Sequence, residues 1–111
     1  MPKYVVLYTA PVSASQQMEN NDPAMAEQVM NAWNDWSAGL GKGMVDLGTP
    51  LAGGMKVTSN GTSDAGTQVA GYSIINADSM EQALGHMKAH PHLQMPGAAI
   101  EVYEALAVPG M

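Results

Sequence analysis

Three histidines, His86, His90 and His92, fall within one seven-residue stretch and are the only imidazoles in the chain. On a helix, His86 and His90 at i and i+4 share a face. That spacing ligates zinc when a third ligand, usually with a carboxylate nearby, is close. Glu81 and Glu101 are available, but nothing in the sequence places either beside the pair, so no metal site is expected. An imidazole can also act as a general acid or base. A place near a helix C-terminus favours the protonated form of His90 through the dipole alone. The plainer expectation for all three rings is a structural or surface role. Asp46 reads as a polar residue edging a cleft rather than as a catalyst. Trp33 and Trp36 suit the buried stripe of a helix or, alternatively, the aromatic wall of a ligand pocket. Trp33, Trp36, Asp46, His90 and His92 together form the candidate pocket; no residue is assigned as catalytic and no cofactor is implied.

These side chains need elements to hold them. Asp78 with Glu81, or Ser79 with Gln82, forms a capping box that satisfies free N–H groups in a first helical turn. Met80, Ala83, Leu84 and Met87 then draw one apolar stripe at i, i+3, i+4 and i+7. Pro91 disfavours helical dihedrals at His90 and stops the helix there. Residues 69–77 before it suit a pleated strand. After it, Ile100 and Val102 alternate with Glu101 and Tyr103, as a half-buried strand requires. The N-terminal half repeats this order. Residues 4–8 form a strand by composition, and Asp22-Pro23 gives an N-cap followed by proline at the first helical position. Met25, Val29, Trp33, Trp36 and Leu40 share one helix face, which Gly39, Gly41 and Gly43 bring to an end. Residues 44–57 hold apolar strand material ending in Lys56-Val57-Thr58. Asn60-Gly61 signals a hairpin turn, and the flanking Ser59, Thr62 and Ser63 suggest a longer, mobile loop. The order β-α-β-β-α-β predicts an α+β, ferredoxin-like protomer with both helices on one face of an antiparallel sheet.

Composition narrows the class. A chain of 111 residues suits one domain over 1–111, burying roughly 60–65% of its unfolded surface. A net charge of -6 with four Lys plus Arg argues against nucleic acid, which needs a basic stripe. The chain has no cysteine, which removes disulfides and thiol chemistry and fits a cytoplasmic location. No apolar run approaches the roughly 20 residues of a membrane helix. The segment 3–14 has the outline of a weak signal peptide, but Tyr4 and Tyr8 suit a strand better. Ten methionines stand beside no phenylalanine, and thioethers are expected to fill the core in place of aromatic rings. Met18, Met25, Met30, Met44 and Met55 lack the close repeated spacing of a metal-binding cluster.

Two strands carry apolar residues on both faces: Val5 and Leu7 alternate with Val6 and Tyr8, and Ile74 is followed by Ile75. With helices on one side only, the second face meets water unless something covers it. A homodimer packed sheet on sheet is the economical cover.

The pieces Trp33-x-x-Trp36, Asp46-x-Gly48-x-Pro50-Leu51, Gly71-Tyr72-x-Ile74-Ile75-x-Ala77-Asp78-Ser79, Ala83-Leu84, His90-Pro91-His92-Leu93 and Ile100-Glu101-Val102 resemble the YCII-related family, in particular its DGPF-domain branch. The resemblance spans residues 3–104, with the pieces in family order. It implies a ferredoxin-like protomer in a dimeric α/β barrel and says little about activity. Two departures stand out. The branch's Asp-Gly-Pro-Phe run is replaced by Ser59-Asn60-Gly61-Thr62-Ser63-Asp64. The family's proposed His–Asp pair is incomplete, because Trp36 stands ten residues before Asp46 where the histidine belongs. Trp36 is then expected to lie beside Asp46 as an apolar wall.

Two functions follow as expectations. One is a small-molecule-binding protein or cofactor-free enzyme with a pocket between helices and sheet. The other is a non-catalytic dimeric accessory or regulatory module. A formed pocket with convergent polar groups favours the first, and a filled core with an exposed apolar patch favours the second.

Overall fold

Tyr4, Val6 and Tyr8 of the first strand are buried and alternate with the half-buried Val5 and Leu7, and that period of two gives the sheet two unlike faces. The computed structural model describes residues 2–11, 23–65 and 69–109. Its elements are β1 (Lys3–Thr9), α1 (Pro23–Leu40), β2 (Met44–Asp46), β3 (Met55–Thr58), β4 (Gly61–Asp64), β5 (Val69–Asn76), α2 (Met80–Met87) and β6 (Ala99–Ala105). Short 3₁₀ turns at Gly41–Gly43 and Pro91–Gln94 follow the two helices. The main sheet runs β2-β5-β1-β6, with every neighbouring pair antiparallel. Each helix therefore links two parallel strands that have a third strand between them, the ferredoxin-like arrangement. The strands β3 and β4 form a separate two-stranded sheet between β2 and β5.

One face of the main sheet is the core. Tyr4, Val6, Tyr8, Ser73 and Ile75 lie on it, each no more than 1% exposed. Register aligns Tyr4 with Ile75, and Val6 with both Ser73 and Val102. Trp33, Trp36 and Leu40 of α1 and Ala83 and Met87 of α2 pack on these residues. The shortest dimension, 21 Å, fits one helix layer on one sheet at about 10 Å each. The buried Tyr8 hydroxyl donates to Ser73 Oγ at 2.7 Å, and Ser73 donates to the Leu47 carbonyl at 2.6 Å.

Helix α2 uses the second of the two expected boxes. Ser79 Oγ accepts the Gln82 N–H at 3.1 Å, and Gln82 Oε1 accepts the Asp78 N–H at 2.6 Å. Asp22 lies outside the described residues; Pro23 does open α1. Three expectations need correction. Among the described residues the methionines do not fill the core: Met30, Met55 and Met80 are exposed, whereas Met87 is buried and Met44 partly so. Tyrosine, tryptophan and histidine rings take that volume. The segment around Asn60-Gly61 is not a long loop but a tight hairpin, with Thr58 paired to Gly61 across Ser59-Asn60. The turn residues keep negative φ and Gly61 takes φ +135, so the primed turn that Asn-Gly favours is not used. Finally, α2 ends at Met87, short of His90.

Between Met44 and Asp46 the β2 register slips: Met44 opposes Ile75 and Asp46 opposes Ile74. Two steps on β2 thus match one on β5, and the extra residue turns Asp46 to the face opposite Met44. Asp46 Oδ1 accepts the Gly48 N–H at 2.9 Å in a tight side-chain turn. Gly48 has φ +80, and a Cβ there would run into the Tyr72 carbonyl. Gly48→Ala should therefore lower stability in urea by roughly 3 kcal/mol or more. Gly85→Ala, in a helix with open space around it, should instead raise stability by about 0.5–1 kcal/mol.

Candidate functional site

His90 is held by a turn that its own side chain helps to make. It precedes the Pro91–Gln94 turn with extended backbone (φ -68, ψ 134), and its Nδ1 accepts the His92 N–H at 3.0 Å. Proline at 91 forces that extended geometry on the residue before it. The ring enters the core at 2% exposure. Its centroid lies 4.2 Å from Trp36, 4.4 Å from Trp33 and 4.8 Å from Tyr8. Tyr8 and Trp33 meet edge to face at 4.8 Å and 76°, a geometry the ring quadrupoles favour. His92, also buried, donates from Nε2 to the Thr9 carbonyl at 2.8 Å and so ties the turn to the end of β1.

This arrangement fixes the chemistry of both histidines. His90 Nδ1 is an acceptor, so the neutral ring carries its proton on Nε2. That buried Nε2 finds no oxygen or nitrogen partner among the described residues; the aromatic rings around it offer only weak π acceptance. Burial first, and the charge of His92 second, push the His90 pKa down to about 4. The expectation that a helix dipole would favour its protonated form is overturned, because α2 ends three residues earlier and the ring sits inside the protomer. Tyr8 is equally unsuited to proton transfer. Burial raises its pKa to about 12, against the lowering effect of the Ser73 hydrogen bond. Its chain of donors ends on a backbone carbonyl.

The candidate residues thus fall into two groups. Trp33, Trp36, His90 and His92 are brought together, with Tyr8 and Ser73 as members that sequence reasoning did not single out. The alternation that buries Tyr4 and Val6 was the available signal for Tyr8. Asp46 is not among them. It lies on the helix-free face of the sheet, where Tyr72 donates to its Oδ2 at 3.4 Å. Trp36 lies on the helix side and donates from Nε1 to the His86 carbonyl at 2.8 Å. Trp36 is no wall for Asp46, and a histidine at position 36 could not complete a pair with it. His86 and His90 do not share a helix face either, since only His86 is helical. No cluster of three His, Asp or Glu side chains suited to a metal is found among the described residues.

Beside the aromatic cluster, an open groove of about 540 Å³ separates α1 from α2. Ala32 and Gly39 on one side and Gly85 and Ala89 on the other are too short to fill it, and Trp36 lines it between them. Asp35 and His86 supply its polar groups. No helix among the described residues is long and apolar enough to cross a membrane. Compared with known proteins, the chain matches no family model, and no curated protein matches it at a significant level.

Acid should act on the cluster through His90. An unfolded histidine titrates near 6.5, so above that pH the neutral buried ring is in its preferred state. As pH falls from about 6.5 towards 4, the unfolded chain takes up a proton that the native ring refuses, and stability declines. The contribution lost between pH 7 and pH 5 is about 2 kcal/mol. His90→Asn keeps an acceptor for the His92 N–H but does not titrate. Urea denaturation at the two pH values should show this part of the decline vanish in the variant, although its overall stability is lower. Separately, an imidazole placed by Trp36→His should show by NMR the same pKa with Asp46 or with Asp46→Asn; a shift between the two would mean the side chains meet after all.

Proposed function

We propose that this chain is a YCII-related, DGPF-type protomer that works in the cytoplasm as a homodimeric α/β barrel, as a non-catalytic accessory or regulatory module. The observation that carries this reading is the helix-free face of the sheet. Val5 lies between Ile74 and Tyr103, and Leu7 between Tyr72 and Glu101. Val5, Leu7, Tyr72 and Ile74 are only half-buried and Tyr103 is 53% exposed, so one contiguous apolar patch is left without cover among the described residues. A second copy packed on this face buries the patch and closes the two sheets around a shared core.

The filled interior of the protomer favours a module over an enzyme. The helix side of the sheet is occupied by interlocked rings, and one ring nitrogen of His90 and one of His92 are each engaged with a backbone group. A second reading keeps the small-molecule function and places the ligand in the α1–α2 groove. Its support is the half-buried indole of Trp36 with Asp35 and His86 alongside. Ligand density in that groove in a crystal of purified protein would favour it.

Sedimentation equilibrium at micromolar concentration should give 23.2 kDa, twice the 11.6 kDa of one chain. Leu7→Glu should give 11.6 kDa with an unchanged circular dichroism spectrum, because Leu7 faces away from the protomer core. A wild-type protein that sediments as a monomer sinks the reading.

A further inference from the structure

We infer that Asn60 is a site of spontaneous deamidation, converted in the folded protein to aspartate and isoaspartate through a cyclic imide with the Gly61 nitrogen. Asparagine is a thermally labile residue, and local structure decides which ones react. The backbone nitrogen of the next residue must reach the side-chain carbonyl carbon, and a side chain on that next residue obstructs the approach. Asn31 and Asn34 lie within α1, where the following N–H is held in the helix ladder. Asn76 ends β5, an interior strand, and pairs with Lys3. The next N–H, that of Ala77, donates to the Pro2 carbonyl at 3.2 Å.

Asn60 differs on each count. It is exposed at the tip of the β3–β4 hairpin. Gly61 follows it with no side chain and with φ +135, and among the described residues nothing lies within 4 Å of where a Cβ would stand. The turn's bonds run from the Asn60 N–H to Thr58 Oγ1 at 3.2 Å and from that hydroxyl to the Gly61 carbonyl at 3.3 Å. Neither uses the Asn60 carboxamide. Thr58 and Gly61 close a ladder of only two strands, and such a pair opens at small cost. The Gly61 nitrogen is then reachable while the main sheet stays folded.

The step balances with water alone. Hydroxide takes the proton from the Gly61 nitrogen, which attacks Asn60 Cγ; the N–Cγ bond forms, the Cγ–Nδ2 bond breaks and ammonia leaves. Water opens the imide at either carbonyl. Cleaving N–Cγ gives aspartate, whereas cleaving the original peptide bond gives isoaspartate, with the main chain rerouted through Cγ. One water is consumed and one ammonia released. Isoaspartate adds a methylene to the main chain between Thr58 and Gly61, so the two-residue loop that pairs them is lost. The new carboxylate takes the net charge from -6 to -7.

Incubating the native protein in mildly alkaline heavy-oxygen water tests this. Trypsin, cutting after Lys56 and Lys88, releases Asn60 and Asn76 in one peptide, so its fragmentation reads both sites. Label should enter residue 60 about tenfold or more faster than residues 31, 34 or 76, with isoaspartate among the products. Asn60→Gln, which needs a larger ring, should stay unlabelled at position 60. Equal uptake at Asn76 or at the helical asparagines overturns the selectivity. Aspartate without isoaspartate, or equal labelling of the glutamine, means direct hydrolysis of the amide and overturns the imide route. Label at residue 60 in urea but not in the native protein shows that the hairpin protects the site and overturns the inference.

Discussion

The seating of one imidazole among three larger rings is the constraint on which the helix layer depends. His90 is reached only because Pro91 forbids further helix, and it stays in place because its Nδ1 holds the next turn through the His92 N–H. Trp33 and Trp36 fix the height and rotation of α1 over the sheet by packing on that ring. Tyr8 joins the same cluster to the central strand and, through Ser73 and Leu47, to the segment leaving β2. Remove the ring and α1, the Pro91–Gln94 turn and the middle of the sheet lose their common contact. A neutral histidine suits this place because it combines an aromatic surface with one sharply placed acceptor, which neither phenylalanine nor leucine has.

The same sheet solves a different problem on its other side. There the alternation presents valine, leucine, isoleucine and tyrosine to a face that no helix covers among the described residues, while the charged Lys3 and Glu101 keep to its margins. Asp46 belongs to this face and has work within it, shaping the turn to Gly48 and receiving the Tyr72 hydroxyl. Its carboxylate is accounted for by geometry without any catalytic role.

Much of the fold could be read locally. The cap at Ser79 and the alternation in the first strand are written in adjacent residues, and both are found where they were expected. What could not be read depends on counting errors of a single residue. Regular pleating puts residues 44 and 46 on one face, which would bring Asp46 towards Trp36; the slip in β2 sends it to the other. Likewise, a helix extended to position 90 aligns His86 with His90, whereas ending it at Met87 buries one ring and leaves the other beside a groove. The methionines misled for another reason. Apolar character alone does not say whether a side chain is inside, and in this chain the aromatic rings fill the space first.

The chain leaves the main sheet after Leu51 and returns at Ala70, and at that point the Leu51 N–H meets the Ala70 carbonyl at 2.9 Å, next to the bridge between Pro50 and Gly71. The excursion is thus closed at its root, and the register of β2 on β5 is blind to what lies beyond. Doubling the length of such a closed excursion costs only about 0.6 kcal/mol in chain entropy. Sequence between those two anchors is free to be exchanged, lengthened or trimmed while the sheet that holds both anchors keeps its register.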